Sequence, residues 1–173
     1  RATAQYLNDV FKSVLLKDVV SRNNIRDTEL LNRIIQFIFD NVGSTFSAKN
    51  ISDFLKSQGR KLGVETTYNY LDYLENAFVI ERVKRFDLKG KKYLETQEKI
   101  YAADVGIRNS VLGYRPSDIA GILENLLYLN LRQKGFRVSV GKMGTLEVDF
   151  VASKDEEVLY VKVCYKLKTE NFE

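Results

Sequence analysis

Apolar residues at Tyr6, Leu7, Val10, Phe11, Val14 and Leu15 recur close to helical spacing, ahead of the polar run Ser21-Arg22-Asn23-Asn24. This pattern predicts an amphipathic helix and a turn over residues 1–26. The segment either docks on the core or connects to a module upstream. A broader stripe follows at Leu30, Leu31, Ile34, Ile35, Phe37, Ile38 and Phe39, with Asp27 or Thr28 placed to cap the helix it predicts. A further helix starts after Ser47, turns Ile51, Phe54 and Leu55 inward and closes at Gly59. The next runs from about Glu65 to Asn76 and buries Tyr70, Leu71 and Leu74, with Thr67 and Tyr73 at the margin of its apolar face.

After that helix the period changes. Phe78 to Val83 reads as a strand, Phe86 to Lys92 carries a glycine and charges that mark a hairpin tip, and Tyr93-Leu94-Glu95 returns. Three helices followed by a basic hairpin describe a winged helix-turn-helix over residues 27–98. Lys99 to Asp104 then reads as a short strand, and Pro116 lies in a polar loop before an amphipathic helix from Ile119 to Lys134 that Gly135 closes. Strands are expected at Phe136 to Val140, Thr145 to Ala152 and Glu157 to Tyr165. The expected class is α/β or α+β, with residues 99–173 as a second unit.

Composition narrows the function. A content of 45% hydrophobic residues in 173 suffices for one large core or two small ones, and the winged-helix pattern favours two. The net charge of +4 tolerates a polyanion without demanding one. The chain contains no histidine, which excludes imidazole metal ligands and Ser-His or Cys-His catalytic pairs. The lone Cys164 forms no internal disulfide and is expected to be a buried, inert thiol. No run of about 18 apolar residues suggests a membrane span, so a cytoplasmic location is expected. Without a glycine-rich loop ending in Gly-Lys-Ser/Thr, no nucleotide-hydrolysing motif is present either. The start at Arg1 leads us to expect a piece of a longer polypeptide.

Two constellations carry candidate chemistry. The first is the basic hairpin with the helix before it. Arg82, Lys84, Arg85, Lys89, Lys91 and Lys92 are candidates for phosphate contacts with double-stranded DNA, Thr66, Thr67 and Asn69 for base readout, and Arg60 and Lys61 for anchoring. Glu65, Asp72 and Glu75 on the same helix oppose this reading, and protein assembly, including a homo-oligomer, is the alternative. The second is Glu124, Asp149 and the Val161-Lys162-Val163-Cys164 segment. A magnesium nuclease needs a helix carboxylate, a strand acid and an acid-x-Lys on the next strand. Here Lys162 stands at the acid position and Cys164 at the lysine position, so the catalytic set is degenerate and no metal ligand is assigned. An ion pair from Glu124 or Asp149 to Lys162 would fill the vacated site. The alternative is a metal-dependent nuclease whose active site has migrated, with Glu147 or Glu157 supplying an oxygen.

Residues 121–128, 135–142, 147–151 and 160–165, together with Tyr101 to Asn109, resemble the C-terminal region of a widespread group of prokaryotic AAA-type ATPases. The resemblance implies a restriction-endonuclease-like fold for residues 99–173, with Glu124 and Asp149 in the places of the helix and strand acids. It also implies an upstream ATPase module. ATP and magnesium would belong to that module, and no cofactor is assigned to the residues given.

Overall fold

The computed structural model describes residues 2–143 and 146–165. The chain is a mixed α/β protein. Helices α1 (Ala2–Val14), α2 (Thr28–Asp40), α3 (Ala48–Ser57) and α4 (Val64–Asn76) come first, with the two-residue strand β1 (Thr45–Phe46) between α2 and α3. The hairpin β2 (Ile80–Asp87) and β3 (Lys92–Ala102) follows, then α5 (Val105–Leu112), α6 (Ile119–Gln133) and strands β4 (Arg137–Met143), β5 (Leu146–Lys154) and β6 (Glu157–Val161). Among the described residues one six-stranded sheet in the order β1-β3-β2-β4-β5-β6 links the halves through parallel pairing of β2 with β4.

The helix starts follow capping chemistry. Asp27 accepts from the Leu30 N–H at 2.9 Å, and Ser47 accepts from Asn50 at 3.3 Å, each satisfying a first-turn donor. Helix α5 is the element the hydrophobic pattern did not announce. Asp104 caps it through the Ile107 N–H at 2.8 Å, and Gly113 ends it at a φ of 78°. Past α1 the helix widens into a π-helical stretch, Leu15–Ser21, that buries Leu15 and Val19.

Two cores lie against the sheet, and β3 contributes to both. Ile100 and Ala102 turn toward the core built by α1 to α5, whereas Tyr101 turns toward a smaller core under α6 with Tyr128, Phe136 and Phe150. Alternation along the strand makes this possible. The strand runs unbroken through residues 98 and 99, where the sequence divides into its two expected units. Helix α6 is fixed to β3 by Asn125, whose side-chain amide accepts from Ala102 N–H at 2.8 Å and donates to its carbonyl at 2.9 Å. The amide thus replaces a missing ladder partner.

The two halves also meet at a buried arginine. Arg108 of α5 is 1% exposed, donates to the Phe39 carbonyl at 3.1 Å and pairs with Asp118 just before α6. Arg115 bridges Asp118 at 2.8 Å and Asp40 at 2.5 Å. On the neighbouring turn of α6, Gly121 lets the helix approach the loop after α2. A Cβ there would lie 2.7 Å from the Val42 carbonyl oxygen. Backbone cannot yield as a side chain can, so Gly121→Ala is expected to cost about 1–3 kcal/mol in chemical denaturation, despite alanine's better helix propensity.

Candidate functional site

The site lies where α6 meets the middle of the sheet, and local irregularities build it. The β4–β5 register shifts between Ser139 and Gly141, which pair with Val151 and Val148. The extra β5 residue lets Asp149 and Phe150 both serve the side of the sheet that α6 covers. That bulge re-aims a side chain that strict alternation would send elsewhere. On β2 and β3, Val83 lies opposite Lys99 and ordinary alternation puts Arg85 on the same side.

At the centre is Lys99, 4% exposed. Its ammonium lies 3.0 Å from Glu124 Oε1, 3.1 Å from Glu147 Oε1 and 3.7 Å from Asp149 Oδ1. Tyr101 donates its hydroxyl to the same Glu124 oxygen at 2.6 Å. Lys162 reaches Asp149 Oδ1 at 3.0 Å, the Val163 N–H donates to Asp149 Oδ2 at 2.7 Å, and Arg85 holds Glu147 Oε2 at 3.1 Å. Three carboxylates therefore face three cations. Such compensation is what allows charges to leave water.

Titration of these groups follows from that arrangement. Burial alone would pull the Lys99 ammonium below its ordinary range, but the charge and hydrogen bond of Glu124, then those of Glu147, outweigh it and hold the group above. Burial, followed by the adjacent Glu124 charge, pushes the Tyr101 hydroxyl well above the usual phenol range. Its ring stacks on Tyr128 at 4.6 Å between centroids, and Tyr128 in turn donates to Glu81. The tyrosine pair is neutral structure rather than an acid-base couple near neutrality.

Several residues proposed from the sequence are placed differently. Strand β6 ends at Val161, so Lys162 and Cys164 lie past it and not within it, and the Cys164 thiol is exposed rather than buried. Strand pairing with β5 stops at the Phe150–Val161 register. Lys162 meets Asp149 but does not reach the helix acid, whose lysine partner is Lys99. Among the hairpin cations, Arg82 is bound to Glu75 and Asp72 of α4, and Arg85 is 7% exposed against Glu147, so neither presents its charge to a phosphate. Thr67 is buried and its hydroxyl donates to the Gly63 carbonyl at 3.0 Å, which removes it from base readout. Arg60 pairs with Glu29 at 3.0 Å and Asp27 at 3.5 Å. Lys61, Thr66, Asn69, Lys84, Lys89, Lys91 and Lys92 remain exposed.

Lys99 was the residue missed. Its signal was present: a lysine two positions before Tyr101 in an apolar strand shares that ring's face, and a lysine on a buried face requires carboxylates. Beside the cluster a polar depression of about 320 Å³ is bounded by Gly43, Ser44, Asp118 and Glu124. Gly43 has a φ of 77°, and a Cβ there would touch the Glu124 carboxylate at 3.4 Å.

The family described as "Domain of unknown function (DUF8612)" matches residues 1–118, more than half of the chain. The chain belongs to that family. The DUF8612 match includes Arg85, Lys99 and Tyr101 and ends at Asp118, before the three carboxylates they contact. An uncharacterized protein of Haemophilus influenzae is 36% identical over 167 residues, which is 96% of this chain and 42% of the relative. An uncharacterized protein of Methanocaldococcus jannaschii is 30% identical over 173 residues, 98% of this chain and 38% of its own length. The chain thus spans about two fifths of these relatives. No solved structure matches. Among the described residues no helix is long and apolar enough to cross a membrane.

Proposed function

We propose that this DUF8612 chain is a non-hydrolytic module that engages double-stranded DNA, a winged helix-turn-helix joined to a restriction-endonuclease-like core whose carboxylates are locked by the chain's own cations. The observation that carries this reading is Lys99, an ammonium seated among Glu124, Glu147 and Asp149. A nuclease dication would need the same oxygens, and it would meet Lys99, Lys162 and Arg85 already bound to them. Two positive charges 4 Å apart repel by about 4 kcal/mol at an effective dielectric of 20. The residues present therefore do not fit a magnesium centre. The role falls instead to the four lysines of the hairpin, Lys84, Lys89, Lys91 and Lys92, which are exposed and close in sequence. In keeping with the resemblance to AAA-type ATPases we propose an ATP-using module upstream, for which relatives more than twice as long as the shared stretch leave room.

The test has two arms. Fluorescence anisotropy with a short duplex should give an affinity whose logarithm falls against log salt with a slope of about −3 to −4, if about four lysines meet phosphates. Replacing Lys89 and Lys92 by glutamine should reduce that slope by about 2. Salt-independent binding, or none at low salt, removes the DNA reading. In the second arm, supercoiled plasmid incubated with magnesium or manganese should remain intact. Nicking that Asp149→Ala abolishes would make the migrated-site nuclease the correct reading.

A further inference from the structure

The sheet has a second side that the proposal above does not use. Over β1 to β3 that side is covered by the helical core, but across the outer parts of β2 and β3 and over β4 to β6 it is open among the described residues. Strand alternation brings Phe86, Tyr93, Arg137, Val151, Val158 and Tyr160 to this face, around a shallow depression of about 340 Å³. Tyr93 and Tyr160 are 60% and 63% exposed, and Phe86 packs edge-on against Tyr93 with centroids 5.1 Å apart. Exposed rings grouped with apolar neighbours on one open face mark a contact surface.

The charges around these rings select the occupant. Lys91, Arg137, Ser139 and Ser153 line the depression, and no carboxylate among the described residues lines it. The acidic run Asp155 to Glu157 lies at the β5–β6 turn. Gly141 keeps the floor flat, because a Cβ there would lie 2.5 Å from Val148 Cγ2 and 2.8 Å from Val151 Cγ2. Tyr93 on β3 is four strand spacings from Tyr160 on β6, about 19 Å across the sheet. An extended single strand covers that distance in about three nucleotides. An apolar protein partner would gain from the rings but would have to bury two cations without a counter-charge, whereas a phosphodiester chain supplies both flat bases and anions.

We infer that this open face binds single-stranded nucleic acid, with Tyr93 and Tyr160 stacking on bases and Lys91 and Arg137 contacting the phosphates between them. The inference does not rest on the hairpin's contact with duplex DNA, although Lys91 stands at the border of both surfaces.

The test is anisotropy with a labelled 12-nucleotide oligothymidine, the same backbone with abasic sites in place of bases, and a duplex of equal length. Oligothymidine should bind, and Tyr160→Ala and Tyr93→Ala should each weaken it about 10-fold, with Tyr160→Phe restoring affinity because the ring and not the hydroxyl stacks. Both positions are exposed, so a thermal melt should confirm that the variants fold like the parent. Duplex affinity should be unchanged in Tyr160→Ala and reduced in the Lys89 and Lys92 variant, so failure of one surface is distinguishable from failure of the other. Equal binding of the abasic strand, indifference of oligothymidine to both tyrosine variants, or no binding would overturn the inference. Concentration-dependent dimerisation lost in Tyr160→Ala, without single-strand binding, would assign the face to a second copy instead and overturn it equally.

Discussion

Lys99→Met is expected to lower the unfolding free energy by about 3–5 kcal/mol at neutral pH, the usual consequence of removing one partner from a buried ion cluster. Methionine fills nearly the same volume, so the loss is electrostatic. It leaves Glu124, Glu147 and Asp149 facing one another with only Lys162 and Arg85 to compensate. The pH dependence separates this from a packing defect. In the parent the Lys99 ammonium titrates above its ordinary range near 10.5, so its contribution is fully present below that value and is lost as pH rises through the folded one. The variant lacks this group, so its deficit should shrink as pH rises above about 10.5. Urea titrations at pH 7.5 and about 11 check this, and an equal deficit at both would assign the loss to packing alone.

The second large effect is expected at Asp118→Asn. This carboxylate accepts from Arg108 and Arg115 and is the counter-charge for a guanidinium that is almost wholly enclosed. The amide keeps the shape but abandons the charge, so about 3–5 kcal/mol should be lost. Hydrogen bonding from Arg108 holds the Asp118 carboxyl down to about 2, against an ordinary 3.8. A depressed carboxyl contributes above its unfolded value and loses that contribution as pH falls through the folded one. The parent should therefore lose stability between about pH 4 and pH 2, and the variant should lose less over the same window. Parallel acid titrations monitored by circular dichroism would decide it. Identical acid profiles would show that the pair contributes nothing.

Elements with long apolar stripes and good caps could be read from the sequence. Helices α2, α3 and α6 follow directly from their periodicity and from Asp27, Ser47 and Gly135. Helix α5 could not, because its eight residues show little amphipathicity and its cap, Asp104, looks like the end of a strand. The site was half legible. Glu124 and Asp149 were identifiable as acids on adjacent elements, but Asp149 reaches Lys99 only through the β4–β5 bulge, which no period of two announces. The hairpin misled for a related reason. Arg82 and Arg85 belong to the basic run in sequence, but the strand turns them to opposite faces, one onto α4 and one into the carboxylate cluster.

The strand that supplies Lys99 leaves this protein little freedom to vary. Were β3 to slip by one residue against β2, Ile100 would be driven among the acids and the lysine into the greasy helical half, so both interiors would fail together. Insertions in the preceding turn are therefore tolerable only if the slack is absorbed before residue 98.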